Sequence, residues 1–328
     1  MIPNEPLLVS LVKMVDRLPD PPQAPKKRAR GRPYLFTDKL FLKALVIMIV
    51  RRLHKVGELL SVLEQPTAEM QQLRNLLTQA GKYPSRRTWE RRLAKLPDTL
   101  PAQIGCLGRH LLTLLQPWAD CGRAVAIDST VLRALGGMWH KKDRLAGVVP
   151  HTRIDTQAHW SKSGWHGWVY GWKLHLICTV AGIWIPLAAD LTPANEADNV
   201  KAPDLIAELP LHPLYLLGDL HYNASEVDEV CFHRGYTPVT TQYGAYPHTG
   251  TGVEVRRVFH KLRSVAIENF NELFKGIFSA HEQVPTKGKT ATKRWALGAV
   301  LVFQIALWYR FEHQMDLRVG LKPFLKAA

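Results

Sequence analysis

Three acidic residues of the sequence occupy positions from which their carboxylates could act together. Asp128 and Asp219 each follow a short apolar run, residues 125–127 and 216–218, at the predicted end of a buried strand. In an open α/β sheet, ligands bind at strand ends, so these two acids could meet at one edge. Glu268 lies between apolar neighbours in a predicted helix that can cross the same edge. We therefore treat the three acids as one candidate site.

Carboxylates gathered in this way indicate a divalent metal site. Like charges raise one another's pKa, so a cluster of three acids is stable chiefly when cations neutralise it. Hard oxygen ligands suit Mg²⁺ or Mn²⁺. Two such ions roughly 3.5 to 4 Å apart can neutralise the oxygens of a reacting phosphodiester while one of them activates water or a 3′-hydroxyl. The chemistry of such a site fits two-metal phosphoryl transfer.

The same predicted helix contains a second candidate for the third acid. Glu272 stands four residues after Glu268 and shares its face. Lys275, seven residues after Glu268, also lies on that face and is a candidate phosphate ligand, as is Arg263. A single Asp after an apolar strand is more often a turn residue than a catalyst. The residues alone leave the choice between the two Glu side chains open.

The charge balance predicts a polyanionic partner. The 328 residues include 43 Lys and Arg against 28 Asp and Glu, a formal net charge of +15, and 46% hydrophobic residues, enough for a sizeable core. Basic residues recur in separate blocks rather than along one amphipathic helix, which favours nucleic acid over a membrane surface. The candidate DNA contacts are Arg30, Arg32, Arg86, Arg87, Arg91, Lys95, Lys173, Arg263, Lys275, Lys287 and Lys289.

Two of the basic blocks lie in the N-terminal part. Residues 20–33 are rich in Pro, Lys and Arg, which predicts either a linker or a basic arm whose Arg32 enters a narrow minor groove. A predicted helix over residues 85–96 places Arg87, Arg91 and Lys95 on one face. That face could follow phosphates as part of a helix-turn-helix, or it could be a solvated basic surface.

Other features of the sequence bear on compartment. The four Cys residues form no CxxC pair, which predicts buried thiols in a reducing compartment. The longest apolar runs, residues 40–50 and 296–309, are shorter than the roughly 20 residues of a spanning helix, and the N-terminus lacks the features of a signal peptide. We expect a cytoplasmic protein that associates with the nucleoid when bound to DNA, with no membrane partner.

The predicted elements around the acids alternate between strands and helices. Strand pairs followed by alternating helices and strands indicate an α/β sheet with helices packed on it. Helices are predicted at residues 37–50, 56–63, 68–80, 85–96, 198–209, 224–234, 260–278 and 293–310. Strands are predicted at residues 123–127, 170–180, 183–189, 213–218 and 236–241, the second and third joined as a hairpin. A Trp-rich stretch, residues 133–173, could stack on unpaired bases or pack on the sheet.

Four motifs, which begin at residues 128, 170, 191 and 218, resemble those of the DDE transposases of bacterial insertion sequences and follow one another in the same order. Asp128-Ser129-Thr130 resembles the first Asp motif of that family, and Gly218-Asp219-Leu220-His221-Tyr222 resembles the second. Residues 170–175, Tyr-Gly-Trp-Lys-Leu-His, resemble its second-strand signature. Residues 191–198, Leu-Thr-Pro-Ala-Asn-Glu-Ala-Asp, resemble its turn before a helix. The resemblance covers residues 123–310.

The resemblance implies a fold, a reaction and a site. The fold is α/β, a ribonuclease-H-like mixed sheet with flanking helices, preceded by a helical N-terminal DNA-binding region. The reaction is cleavage of double-stranded DNA at inverted-repeat ends and strand transfer into target DNA, of the cut-and-paste type with a compact core. Asp128, Asp219 and Glu268 are its catalytic residues and its ligands for two Mg²⁺ or Mn²⁺ ions, and a homodimer acts on the paired ends.

The sequence patterns and the resemblance together divide the chain into four expected segments. They are an N-terminal helix and basic linker (1–36), a helical DNA-binding region (37–120), a ribonuclease-H-like catalytic domain (121–315) and a C-terminal tail (316–328). Two other functions stay open. One is a non-catalytic DNA-binding protein derived from a transposase, against which the presence of all three acids argues. The other is a structure-specific nuclease of the same fold, such as a junction resolvase.

The last motif of this sequence departs from the family pattern. The family places an Arg four positions before its Glu, but Arg263 lies five positions before Glu268 and Ser264 holds the expected place. The family also has a Tyr three positions before its Arg, where this sequence has His260. Lys275 fits the expected Lys seven positions after the Glu. The role of Arg263 therefore depends on the geometry of the helix.

Overall fold

The computed structural model describes residues 5–22, 35–117, 123–164, 167–180, 182–209, 215–240 and 251–328, with the backbone alone for 163 and 251–256. Two of the predicted DNA contacts, Arg30 and Arg32, lie outside the described residues.

A mixed six-stranded sheet lies at the centre of the described chain. Its strands are β1 Ala124–Arg133, β2 His159–Ser163, β3 Gly167–Thr179, β4 Pro186–Pro193, β5 Tyr215–Gly218 and β6 Thr237–Thr240. Strands β1, β3 and β4 form an antiparallel meander, while β5 pairs in parallel with β1, and β6 in parallel with β5. The order β4-β3-β1-β5-β6 is that of a ribonuclease-H-like sheet, and the predicted fold class is confirmed.

Helices flank the sheet and precede it. They are α1 Leu7–Met14, α2 Asp38–Val50, α3 Val56–Leu63, α4 Ala68–Leu76, α5 Arg86–Leu93, α6 Leu100–Leu115, α7 Lys141–Leu145, α8 Asp198–Ala207, α9 Ser225–Arg234, α10 Thr251–Arg263, α11 Asn269–Phe278, α12 Lys289–Glu312 and α13 Leu321–Ala327. Local capping explains some of the boundaries: the Oγ of Ser85 accepts the N–H of Thr88 at 3.3 Å at the start of α5. Residues 77–85 separate α4 from α5, a connection longer than the roughly 3–4 residues of a helix-turn-helix.

Helix α12 joins the N-terminal helices to the sheet. It is buried on almost every side and packs against α1, α2, α6 and β4. In its middle, the Nε2 of Gln304 donates to the carbonyl oxygens of Ile104, at 2.9 Å, and Pro186, at 2.8 Å. One continuous hydrophobic core therefore extends across both sides of the predicted segment boundary at residue 120.

The Trp-rich stretch is largely a packed extension of the sheet. The indole nitrogen of Trp160 donates to the carbonyl of Trp139 at 2.8 Å, and its ring lies 5.3 Å from that of Tyr170. Trp172 is fully buried, whereas Trp168 is exposed. Packing therefore accounts for three of the four tryptophans that the structure describes in this stretch, and the ring of the fourth, Trp168, faces solvent. Trp165 lies outside the described residues.

Three of the four cysteines lie among the described residues, and all three are free thiols. Cys178 and Cys231 are buried free thiols and Cys106 is a partly buried one, whereas Cys121 lies outside the described residues. None of the described helices, α12 included, has the length and apolar character of a membrane span.

The close approach of α6 to β4 generates a stability prediction. A Cβ on Gly108 would lie 2.5 Å from the carbonyl oxygen of Pro186, so we expect Gly108→Ala to lower the free energy of unfolding by about 1–3 kcal/mol. Gly57 of α3 is the matched control, because its nearest neighbour is the flexible guanidinium of Arg86 at 4.0 Å. Gly57→Ala should be neutral or stabilising by up to about 1 kcal/mol. Denaturant unfolding compares them, and equal effects would contradict this packing.

Candidate active site

The sheet register places two of the three acids side by side. Strands β1 and β5 pair in parallel up to Ala126 opposite Leu217. Asp128 and Asp219 both lie two residues beyond this pair, so they emerge on the same face of the sheet. Strand β1 continues to Arg133, so Asp128 is inside a strand rather than at its end as predicted. It is the pairing with β5 that stops there, and this opens the edge at which the acids stand.

Local structure fixes the second acid. Asp219 precedes a 3₁₀ turn, Leu220–Tyr222, and its Oδ1 accepts the backbone N–H of His221 at 2.9 Å. Tyr222 is buried beneath this turn, and a Cβ on Gly218 would lie 3.0 Å from the Tyr222 side chain. Gly218 and Tyr222 therefore pack against each other, and this contact fixes the backbone of Asp219, which lies between them in the sequence.

The first acid lies in an unfavourable electrostatic environment. The pKa of Asp128 is raised to about 7, chiefly by burial and further by the negative charges of Asp219 and Asp198. A hydrogen bond from the backbone of Ser129 and the charge of Arg263 act in the opposite direction. A buried carboxylate beside a second one, with a pKa this high, is a site where a cation would be stabilising. The hard oxygen donors suit Mg²⁺ or Mn²⁺.

A π-helical turn shapes the helix opposite the acids. Helices α10 and α11 are continuous through the π-turn Ser264–Glu268, in which the chain gains one residue relative to an α-helix. This change brings a residue five positions earlier onto the face of Glu268. The Nη2 of Arg263 accordingly lies 3.9 Å from the Oε1 of Glu268. This sequence has one residue more between Arg263 and Glu268 than the family pattern, and the π-turn accommodates that residue.

Glu268 stands apart from the aspartates in this structure. Its side chain is 59% exposed, and its ionic partner is Arg263. Among the described residues, no group of three or more His, Cys, Asp or Glu side chains is placed to hold a metal. Glu272 is also exposed, with its carboxylate 3.8 Å from the Nζ of Lys275. The structure pairs Asp128 with Asp219, and the convergence of Glu268 on them in a DNA-bound state stays a prediction.

Two further residues belong to the site. The Nδ2 of Asn271, which is buried on α11, lies 3.2 Å from the Oδ2 of Asp128. Asn271 is three residues after Glu268, so helical periodicity is the signal that identifies it. Asp198 begins α8 and acts electrostatically on Asp128. Its place near the site depends on the packing of α8 against the sheet, for which the sequence holds no local signal.

Lys173 has a different role from the predicted phosphate contact. It is buried, and its Nζ lies 3.1 Å from the Oδ1 of Asp198 and 2.8 Å from the carbonyl oxygen of Glu196. The neighbouring His175 is also buried, which lowers its pKa to about 4, so Lys173 is the charged partner of Asp198. The ammonium group of Lys173 therefore forms its contacts inside the fold and does not face solvent, where DNA would bind.

The other predicted DNA contacts divide into two groups. Arg263 and Lys275 are mostly buried beside the site. The exposed group consists of Arg86, Arg87, Arg91, Lys95, Lys287 and Lys289. Within it, Arg86 is paired with Glu90 at 2.9 Å, and the Nζ of Lys287 donates to the carbonyl of Thr152. The exposed face of α5 therefore carries Arg87 and Arg91 at its centre.

The comparisons with known proteins concern the same region. Residues 119–257 match the model of a protein family described as "Transposase DDE domain". This segment is less than half of the chain; it includes Asp128 and Asp219 and ends before Glu268. The search of curated protein sequences gave no match.

Solved structures of transposases show a distant similarity. The chain is similar to piggyBac transposase in a synaptic complex with hairpin DNA, at 8% identity over 97% of this chain and 76% of that chain, with a TM-score of 0.41. It is also similar to Mos1 transposase in a paired-end complex with the left transposon end, at 15% identity over 88% and 81%, with a TM-score of 0.23. The fold assignment rests on the strand order and not on these alignments.

The π-turn generates a prediction about deletions. Removing Ser264 should convert the turn into regular α-helix without rotating α11, because the chain then loses the one extra residue. We expect the free energy of unfolding to change by no more than about 1 kcal/mol. Removing Leu273 from regular α11 should rotate Phe274 and Ile277 by about 100° out of the core and unfold the helix. Circular dichroism and thermal unfolding test this, and two equally damaging deletions would contradict it.

Proposed function

We propose that this protein is a DNA transposase that cleaves the ends of its element and joins them to target DNA by metal-dependent phosphoryl transfer. The observation that carries the proposal is the placement of Asp128 and Asp219 side by side on adjacent parallel strands of a ribonuclease-H-like sheet. Both residues lie in the segment that matches the transposase DDE domain. The proposed origin in a bacterial insertion sequence rests on the motif resemblance described above.

In this proposal Asp128, Asp219 and Glu268 are the ligands of two Mg²⁺ or Mn²⁺ ions. The raised pKa of Asp128 supports this assignment, because a cation would offset both the burial and the charge of Asp219. When bound, the ions supply charge neutralisation at the phosphate and activation of the attacking oxygen. Glu268 would join the aspartates by leaving Arg263, and a 3.9 Å pair with one exposed partner is worth about 1 kcal/mol or less.

The basic side chains around the acids would orient the DNA. Arg263, once released from Glu268, can hold a phosphate through two parallel N–H bonds, whereas Lys275 offers a single point of charge. Further away, the exposed face of α5 would bind the backbone of the duplex. The family resemblance further implies a homodimer on paired ends, and a protein that is located at the nucleoid with its substrate.

The test uses the full-length protein and a DNA fragment that carries the sequences flanking its gene on both sides. With Mg²⁺ we expect cleavage at the element ends and joined products in a target plasmid. A structure-specific nuclease would cut branched DNA without joining, and a non-catalytic DNA-binding protein would retain the DNA uncut. Either result would overturn the proposal.

The two glutamates of the helix provide a matched pair of variants. Glu268→Gln keeps the shape of the side chain but removes the charge that holds a metal, so we expect DNA binding near normal and cleavage reduced at least about a hundredfold. Glu272→Gln should stay largely active. Binding is measured by gel shift and cleavage by product analysis. An inactive Glu272 variant with an active Glu268 variant would mean that the other acid completes the site.

The face of α5 generates a separate prediction about affinity. Replacing both Arg87 and Arg91 by Gln should weaken binding to DNA and reduce the slope of log K against log salt by about 2, because each phosphate contact contributes about 0.9. Lys322→Gln with Lys326→Gln, on the exposed surface of α13, is the charge-matched control. A binding titration at several salt concentrations compares the two. An unchanged slope in the α5 variant would mean that this face is only solvated.

A further inference from the structure

One buried polar atom of the site has no partner. The side chain of Asn271 is 6% exposed, and its Nδ2 donates to the Oδ2 of Asp128 at 3.2 Å. Its Oδ1 is buried and accepts no hydrogen bond. A buried acceptor without a donor costs about 1–3 kcal/mol, so such an atom in a native fold calls for an explanation. The oxygen is bonded to the same carbon as the nitrogen that contacts Asp128, so it lies close to that carboxylate.

The amide can present either of its ends to Asp128. The terminal torsion of Asn is broad, and a half-turn about it exchanges the nitrogen and oxygen positions. After this exchange an oxygen would stand where the nitrogen stands now, 3.2 Å from the Oδ2 of Asp128. Neighbouring oxygens in an octahedral Mg²⁺ site with bonds of 2.0–2.1 Å are separated by about 3 Å. The present spacing is therefore compatible with two adjacent ligands of one ion.

We propose that Asn271 is an additional metal ligand, whose amide oxygen binds the same divalent ion as Asp128 and Asp219. This inference rests on the proposed metal-dependent function and adds a residue to its site. In the absence of the ion, the Nδ2 of Asn271 holds the carboxylate of Asp128 in place. When the ion binds, the amide turns and offers its oxygen.

A neutral ligand suits this position better than another acid. Asp128 already feels the negative charges of Asp219 and Asp198. An amide oxygen adds a hard donor without adding charge, so it avoids raising the pKa of the cluster further. The backbone of α11 is also held firmly here, because the ring of Phe270 packs edge-on against Phe303 of α12 at 5.0 Å. Only the amide has to move.

The experiment measures Mn²⁺ binding to the full-length protein without DNA, by calorimetry and by the electron paramagnetic resonance signal of free Mn²⁺. Asn271→Ala and the size-matched Asn271→Leu both lack the oxygen, and we expect each to weaken Mn²⁺ binding at least about tenfold. Asn271→Asp retains a ligand oxygen but adds a charge beside Asp128, so it should still bind Mn²⁺, and more tightly than the two variants that lack the oxygen. Asn269→Ala, at the exposed neighbouring Asn, is the control and should leave binding unchanged.

The outcomes separate this inference from the proposed function. Normal Mn²⁺ binding in folded Asn271→Ala or Asn271→Leu protein, with binding lost in Asp128→Ala, would overturn the role of Asn271 and leave the metal site in place. If Asn271 has only a structural role, its variants would bind Mn²⁺ normally but would have a lower melting temperature. Mn²⁺ would then raise that melting temperature as much as it does in the native protein. Unchanged binding in Asp128→Ala would overturn both the inference and the proposed metal site.

Discussion

Asp128 lies partly buried beside a second carboxylate, and the surrounding structure limits the cost of that arrangement. Burial and the charges of Asp219 and Asp198 raise the pKa of Asp128 to about 7. Two groups act against this rise, the backbone N–H of Ser129 and the charge of Arg263. These groups belong to β1 itself and to the helix opposite. The geometry of that helix, and of the elements on which it rests, therefore decides how the acid pair behaves.

The helix opposite the acids is held in place by a core that extends far beyond the sheet. Phe270 on α11 packs against Phe303 of α12, and α12 in turn packs against α2 and α6. Gln304 connects α12 to α6 and β4 through two buried carbonyls. The N-terminal helices that carry the basic face of α5 thus share their core with the acid site.

The π-turn shows how one extra residue can be accommodated without loss of the site. In a regular α-helix, a residue five positions before Glu268 would be rotated away from it. The π-turn restores the alignment, so that Arg263 reaches Glu268 while Asn271 still contacts Asp128. π-turns are rare and are frequent at functional sites. Here the turn allows Arg263, five positions earlier in the sequence, to face Glu268.

The sequence by itself determined most of the elements and the two aspartates, because alternation and helical periodicity are local properties of the chain. The hairpin of β3 and β4 and helices α2, α3 and α5 lie close to where these patterns placed them. Only the tertiary structure decided which groups meet. Lys173 turned inward to Asp198, Arg263 came to face Glu268, and Asn271 reached Asp128. The side chain of a basic or amide residue has no local pattern that specifies its partner. That choice depends on strand register, on one π-turn and on the packing of α8 and α11 against the sheet, which are contacts between segments far apart in the chain.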